Sequence, residues 1–168
     1  MLRVRIAPKV IIRKATPDDL FSVLALESEC PAAAHWSQQQ YRDLLIPTHA
    51  KSRRLALVAE EGSIIDSETK VAALIGFLVA RHLAPEWELE NIVVAPGARR
   101  QGVGKRLLEA LLTAAREVNS DAVFLEVRES NLAARGLYEK FGFCQTGRRK
   151  SYYTNPLEDA VLYSLALR

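Results

Sequence analysis

Two closely spaced glycines close the segment Arg99–Gly104, which separates a β-branched apolar stretch from an amphipathic one. The stretch before it ends in Pro96, which is typical of a buried strand that stops there. The stretch after it, 105–118, has apolar residues at helical spacing. Glycines let a backbone approach a ligand, and the first N–H groups of a helix have no partner within the helix. The junction therefore favours an anion, and a pyrophosphate fits it best.

The glycine spacing excludes two common nucleotide-binding loops. A Walker loop needs a lysine where Val103 stands, and a dinucleotide-binding loop needs a third glycine where Leu107 stands. The remaining pattern, Arg-x-x-Gly-x-Gly, resembles the pyrophosphate loop of GNAT acetyltransferases, which holds acetyl-coenzyme A (acetyl-CoA). By itself the pattern equally fits a tight turn before an ordinary helix. On the resemblance, the loop residues that bind the cosubstrate are Arg99, Arg100, Gln101, Gly102, Val103, Gly104 and Lys105.

The composition is that of a globular protein with a single domain spanning residues 1–168. Apolar residues make up 49% and charged residues 26% of the chain, which is ordinary for a protein with a proper core. The net charge of +3 is small, and the basic residues are scattered among acids. The sequence therefore does not favour a nucleic-acid partner.

Neither metal ligands nor membrane segments are indicated. The two cysteines and three histidines have no disulfide or metal-ligand spacing. The amino-terminal stretch 1–10 alternates arginine with apolar residues and lacks the apolar core of a signal peptide. The longest apolar run, Val71–Ala80, is about half of a membrane span. We therefore expect a reducing cytoplasm, no metal ion and no membrane.

Apolar periodicity and turn residues predict alternating strands and helices. Thr16 and Ser37 are the predicted N-caps of the first two helices, and the polar stretch Glu61–Lys70 is predicted to be an unusually long hairpin loop. The fold class is α/β (α+β), a mixed sheet of six to seven strands with about four flanking helices. The strands are predicted at 10–15, 54–60, 71–83, 87–94, 122–128, 144–153 and 159–166, and the later helices at 105–118 and 132–141.

The second half of the chain strengthens the resemblance. Residues 122–143 contain Leu-Glu-Val-Arg-Glu-Ser-Asn and then Ala-Ala-Arg-Gly-Leu-Tyr-Glu-Lys-Phe-Gly-Phe, similar to the second half of a GNAT domain with its mostly antiparallel sheet. With Arg-Arg-x-x-Tyr-Tyr at 148–153, these runs resemble bacterial ribosomal-protein-alanine acetyltransferases. Those enzymes modify the N-terminal alanine of a small-subunit ribosomal protein. The family usually has Asn directly after the two arginines, whereas Lys150 and Ser151 follow them here.

Two glutamates are candidates for the general base of acetyl transfer. The attacking amine must first lose a proton, and an α-amino group (pKa about 8) gives it up more readily than a lysine (pKa about 10.4). The resemblance makes Glu126 the base, whereas without the resemblance a solvent-facing acid on a strand would be the favoured interpretation. Glu88 is the rival, since many other GNAT enzymes have a base in the preceding strand. Glu86, Glu88 and Glu90 also alternate, so we expect one acidic face that attracts a basic peptide.

The resemblance also implies a proton donor, an oxyanion site and an acceptor groove. Tyr138 is the donor to the leaving thiolate, and Asn131 bonds the amide chain of the cosubstrate besides capping a helix. Without the resemblance, Tyr138 would be an ordinary core aromatic. The backbone donors for the oxyanion and the cosubstrate are those of Ile92, Val93 and Val94, at a bulge in their strand. The acceptor groove is lined by Trp36, Tyr152 and Tyr153.

Functions of three classes are compatible with these residues. The first is an N-terminal acetyltransferase that acts on the alanine of a ribosomal protein or on other protein N-termini. The second is a GNAT enzyme that acetylates a small amine, which a wide acidic pocket would favour. The third is a non-enzymatic acyl-CoA-binding module, against which the presence of both Glu126 and Tyr138 argues.

Overall fold

A central sheet of seven strands is flanked by four helices in the residues that the computed structural model describes, 9–46, 53–64 and 70–168. Residues 1–8, His49 and the centre of the polar stretch, 65–69, lie outside the described residues. The strands are β1 Lys9–Lys14, β2 Arg54–Ile64, β3 Lys70–Leu83, β4 Glu86–Val94, β5 Ala122–Arg128, β6 Cys144–Thr154 and β7 Leu157–Ala166. The helices are α1 Leu20–Ser28, α2 Gln38–Leu45, α3 Val103–Glu117 and α4 Leu132–Lys140.

The strands follow one another across the sheet in the order β1-β2-β3-β4-β5-β7-β6. Neighbouring strands are antiparallel, except that β4 and β5 are parallel because α3 connects them. The last two strands form a hairpin whose second strand, β7, pairs with β5. The predicted mixed, mostly antiparallel sheet is confirmed.

The hairpin between β2 and β3 is longer than the sequence indicates. Backbone pairing continues to Ile64 and resumes at Lys70, with Glu61 opposite Ala73. The prediction of a loop from Glu61 to Lys70 is therefore wrong at both ends. A hairpin pairs through its backbone, so polar side chains at its tip do not prevent strand formation.

Helices cover both faces of the sheet and bury two apolar cores. In α3 the apolar residues recur every three or four positions, so one face of the helix is buried against the sheet. Full burial of one such leucine contributes about 1.5–3 kcal/mol. Helices α1 and α2 cover the opposite face through a second core. Among the described residues, no helix is both long and apolar enough to cross a membrane. The buried residues of α3 are Val103, Leu107, Leu108, Leu111, Leu112 and Ala115.

A bulge in β4 reverses the alternation of its side chains between the two faces of the sheet. The register with β3 shifts between Val79 and Ala80, so Glu90 has no partner of its own in β3. Before the bulge, Leu89 faces the core under α3. After the bulge, Val93 faces the core under α1 and α2.

Strands β4 and β5 separate directly after this point. Their last aligned pair is Leu89 with Leu125, although β4 continues to Val94 and β5 to Arg128. The backbone groups on this edge of β4 therefore have no strand partner, and such groups require a partner of another kind. We call this separation the strand opening. The structure thus contains the bulge and the diverging strand that the resemblance implies.

A buried polar cluster ties α1 and α2 to β4 next to the bulge. Glu27 is only 4% exposed, yet the groups that form hydrogen bonds with its carboxylate are uncharged. Glu27 Oε1 accepts three hydrogen bonds: from the Tyr41 hydroxyl at 2.6 Å, from the Asn91 amide at 3.0 Å and from the Trp36 backbone N–H at 3.3 Å. Burial and the nearby Glu27 carboxylate raise the pKa of Tyr41. Because its groups satisfy one another, the cluster fixes β4 relative to the loop after α1.

The substitution Tyr41→Phe tests this cluster. It keeps the ring but removes a donor from the buried Glu27, so we expect the free energy of unfolding to fall by about 1–3 kcal/mol. Urea denaturation measures the change. The control Tyr152→Phe removes a hydroxyl from a side chain that is half exposed, and should cost less than about 0.5 kcal/mol. Equal stability of the two variants would contradict the assignment.

Candidate active site

The glycine-containing loop connects the end of β4 to the start of α3. Pro96–Ala98 form a single 3₁₀ turn, and Arg100 and Gly102 have positive φ angles of 61° and 81°. Arg106 N donates to Gly102 O at 3.0 Å, which begins the hydrogen-bond ladder of α3. The N–H groups before Arg106 point out of the helix end, where the macrodipole favours negative charge. The loop therefore has the backbone geometry that an anion site requires.

The two glycines of this loop are required for different reasons. A Cβ added at Gly102 would meet no atom within 4 Å, but the φ of 81° would strain any other residue. A Cβ added at Gly104 would lie 3.3 Å from Leu137 of α4 and 3.7 Å from Val94. Gly104 therefore permits close packing of α3 on its neighbours, and a larger side chain would disturb that packing.

Two long polar side chains of the loop stabilise its own structure. The Arg99 guanidinium donates to Val94 O at 3.3 Å and to Cys30 Sγ at 3.5 Å. The Gln101 amide donates to Gly97 O at 2.9 Å. The Arg99 contacts hold the loop against the end of β4, and the Gln101 contact stabilises the loop internally.

Tyr138 lies in α4 on the side of the sheet covered by α3. It is buried and packs against Phe143 and Tyr163. Burial, and secondarily the nearby Tyr153, raise the pKa of this phenol. Tyr138 therefore keeps its proton at neutral pH, as a proton donor must, although a high pKa weakens its tendency to give the proton up.

Glu126 lies on the opposite face of the sheet, just beyond the last β4–β5 pair. Its neighbours Leu125 and Val127 face the core under α3, so the Glu126 side chain points to the other side. Arg149 Nε of β6 lies 2.8 Å from Glu126 Oε1. Interaction with the same carboxylate raises the pKa of Tyr152. A carboxylate is thus held between a guanidinium and a phenol at the strand opening.

Two of the three glutamates expected to form an acidic face on β4 pair with arginines. Glu88 pairs with Arg81 at 2.7 Å, and Glu90 pairs with Arg54 at 2.7 Å and with Arg81 at 3.5 Å. These ion pairs weaken the expected attraction of this face for a basic peptide, because neighbouring strands supply guanidinium groups that sequence spacing does not reveal. The attraction itself stays a prediction. Glu88 also lies where β4 is still paired with β5, whereas Glu126 lies at the strand opening.

An open cleft of about 750 Å³ adjoins the end of β5. Tyr152 and Tyr153 line it, and their contact with an acceptor stays a prediction. Trp36 does not, because its ring packs on Tyr41 with 5.4 Å between centroids. A role for Trp36 in the acceptor groove stays a prediction, and the adjacent His35, which has a φ of 53°, lies in the wall of this cleft. The lining residues are Ser28, Pro31, His35, Arg128, Tyr152, Tyr153, Thr154, Asn155 and Pro156.

Arg128 is a site residue that the sequence reasoning missed. Its guanidinium pairs with Glu158 at 3.3 Å, donates to Asn155 O at 3.1 Å and lies 4.1 Å from the centre of the Tyr153 ring. These contacts fix the β6–β7 turn, which forms one wall of the cleft. The sequence does contain one indication of this position: Arg128 follows Glu126 by two residues in a strand, so both side chains are expected on the same face.

Asn131 performs the capping role that its position predicts. Its side-chain oxygen accepts a hydrogen bond from Ala134 N at 3.2 Å. This contact satisfies one of the free N–H groups at the start of α4. Contact of Asn131 with a cosubstrate stays a prediction.

Comparison with known proteins identifies the family. The model of the acetyltransferase (GNAT) family matches residues 20–143, a span that contains the loop before α3, Glu126 and Tyr138. This chain therefore belongs to the acetyltransferase (GNAT) family and is an acyltransferase.

Individual relatives extend the comparison. The ribosomal protein bS18-alanine N-acetyltransferase of Escherichia coli (strain K12) is 37% identical over 101 residues, which are 59% of this chain and 68% of that protein. The crystal structure of the ribosomal-protein-S18-alanine N-acetyltransferase from Escherichia coli has a TM-score of 0.76 at 28% identity, and the match covers 95% of this chain and 94% of that one. Arabidopsis thaliana NAA60 in complex with acetyl-CoA has a TM-score of 0.81 at 16% identity over 94% and 98% of the two chains, which shows the common fold.

Proposed function

We propose that this protein is a cytoplasmic N-terminal acetyltransferase that moves the acetyl group of acetyl-CoA to the α-amino group of an N-terminal alanine of a ribosomal protein. The observation that supports this most is the strand opening, which has Glu126 on one face of the sheet and the buried Tyr138 on the other. The name of the Escherichia coli relative supports the acceptor.

The residues around the opening fit acetyl-CoA. The helix end after Gly102 offers N–H groups to a pyrophosphate, and the unpaired edge of β4 offers backbone groups to an amide chain. When bound, acetyl-CoA supplies the thioester carbonyl that the amine attacks. The residues that would hold it are Arg99, Arg100, Gln101, Gly102, Val103, Gly104 and Lys105 in the loop, and Ile92, Val93, Val94 and Asn131 beside the opening.

Glu126 takes the proton that the acceptor ammonium must lose, directly or through one water. Its ion pair with Arg149 requires the ionised carboxylate, which is the form that accepts a proton. The cleft adjoins the same strand end, so an extended N-terminal segment placed in the cleft brings its first residue to this carboxylate. Glu126 is therefore the better placed of the two candidate bases.

Two further groups complete the chemistry. Backbone N–H groups of Ile92–Val94 donate to the oxyanion that forms on the carbonyl oxygen. Tyr138 donates its proton to the departing sulfur, whose parent thiol has a pKa of about 8.5. The proton donor and the base lie on opposite faces of the sheet, so each can act on a different side of one carbonyl group at the opening.

The cleft favours a peptide over a small polyamine. A polycation needs several carboxylates around it, and none of the side chains that line the described part of the cleft is acidic. Aromatic rings and a hairpin turn form the wall instead, and these suit an extended segment of backbone.

Acetylation of a peptide panel, followed by mass spectrometry, tests the function. We expect transfer to peptides that begin with alanine. No transfer is expected to the same peptides when the amino terminus is blocked and an internal lysine is free, because lysine is harder to deprotonate. Equal transfer to the lysine or to small amines would contradict the proposal.

The roles of the two carboxylates are separated by matched variants. Glu126→Gln should lower kcat by roughly ten- to ten-thousand-fold, and the loss should shrink as pH rises, because more of the amine is then already neutral. Glu88→Gln removes only a partner of Arg81 and should leave kcat within about threefold. Steady-state kinetics across pH decide the question. A pH-rescued loss in Glu88→Gln alone would make Glu88 the base.

The loop assignment predicts a difference between two glycines. Gly102→Val forces a β-branched residue to positive φ and should raise the dissociation constant of acetyl-CoA about tenfold or more. Gly97→Val is the control, because an added Cβ there meets no atom within 4 Å. Calorimetric titration measures both, and circular dichroism confirms folding. Equal affinities in the two variants would overturn the assignment.

A further inference from the structure

The ion pair at the strand opening joins an exposed guanidinium to a mostly buried carboxylate. The Arg149 side chain is 57% exposed and that of Glu126 is 20% exposed. The preceding arginine, Arg148, has other partners: it pairs with Glu129 at 2.6 Å and with Asp159 at 3.5 Å. Within the described residues, Arg149 forms no ion pair besides the one with Glu126. Arg149 therefore covers the proposed base from the solvent side.

A bulge in β6 follows this arginine directly. Arg149 lies opposite Ala160 and the next aligned pair is Tyr153 with Glu158, so β6 advances four positions while β7 advances two. Ser151, within the bulge, has a φ of 51°. This is the place where the chain departs from the usual family sequence.

The bulge gathers the side chains around Glu126. Adjacent residues of a regular strand point to opposite faces, yet Tyr152 and Tyr153 both line the cleft. Their rings pack edge to face, with 5.2 Å between the ring centroids. The Arg149 guanidinium lies 5.7 Å from the centre of the Tyr152 ring. The bulged segment of β6 thus places the Arg149 guanidinium and the Tyr152 phenol beside the Glu126 carboxylate.

Charge decides what can replace Arg149 at this carboxylate. When another cation takes the place of the guanidinium, the carboxylate stays paired throughout, so this exchange costs little free energy. An acceptor ammonium brings the same charge and hydrogen-bond donors. A water molecule is neutral, and its arrival would leave the carboxylate without a counter-ion in a site that is four-fifths buried.

From this we infer that Arg149 is a positioning residue that covers Glu126 until an acceptor ammonium displaces its guanidinium, and that it thereby limits hydrolysis of the acyl thioester. The inference rests on the proposed role of Glu126 as the base. In the hydrolysis that Arg149 limits, Glu126 takes a proton from water and the water oxygen bonds to the thioester carbonyl carbon. The carbon–sulfur bond then breaks, its electron pair stays on sulfur, and the sulfur takes a proton, which leaves acetate and free coenzyme A.

Acetyl-CoA hydrolysis without any acceptor tests the inference. Arg149→Gln should release free thiol about two- to fivefold faster than the wild type, which is the gain in carboxylate availability that a partly exposed pair allows. Arg148→Gln, the matched control on the adjacent residue, should match the wild type. The double substitution of Arg149→Gln with Glu126→Gln should remove the gain. An unchanged rate in Arg149→Gln, or an equal gain in Arg148→Gln, overturns the inference.

A second readout does not depend on activity. In the free wild-type protein, the Arg149 Nε–H group should give a slowly exchanging signal in ¹⁵N nuclear magnetic resonance. This signal should be lost in Glu126→Gln and retained in Glu129→Gln, which removes a partner of Arg148. A signal that is the same in all three proteins overturns the inference. Failure of the proposed function is distinct, since it would appear as absence of transfer to every peptide while both of these measurements stand.

Discussion

The separation of β4 from β5 after the Leu89–Leu125 pair is the constraint on which the site depends. A parallel pair that continued to the strand ends would satisfy its backbone groups internally and would close the sheet. Because pairing stops, the edge of β4 is left to a ligand. In the proposed function, the same opening lets Glu126 on one face and Tyr138 on the other act on one carbonyl group. The proposed catalysis therefore depends on hydrogen bonds that β4 and β5 do not make with each other.

Several contacts keep the opening in place. The bulge at Glu90 ends the regular register of β4, and the buried cluster around Glu27 ties the following residue, Asn91, to α1 and α2. On the other face, Gly104 allows α3 to approach α4 closely. Buried polar groups and close packing both resist small displacements. The opening is thus a rigid feature set from both sides of the sheet.

Arginines neutralise most of the carboxylates near the site. Glu88, Glu90 and Glu126 each have a guanidinium partner supplied by another strand. Glu88 lies where β4 is still paired with β5, and Glu90 lies in the bulge with its two arginine partners on β2 and β3. The pair at Glu126 lies at the opening, where we propose that an incoming ammonium competes for the same carboxylate. Position relative to the opening, rather than residue type, separates a structural acid from a proposed base.

The sequence by itself determined the order of strands and helices, the glycine loop before α3 and the family, because periodicity, turn residues and short motifs depend on local spacing. It also selected Glu126 and Tyr138. Only the tertiary structure decided that these two side chains lie on opposite faces of the sheet, that Trp36 packs outside the cleft and that arginines cover the acids. These facts depend on contacts between residues far apart in the chain. No spacing rule specifies which cation reaches which carboxylate across a sheet.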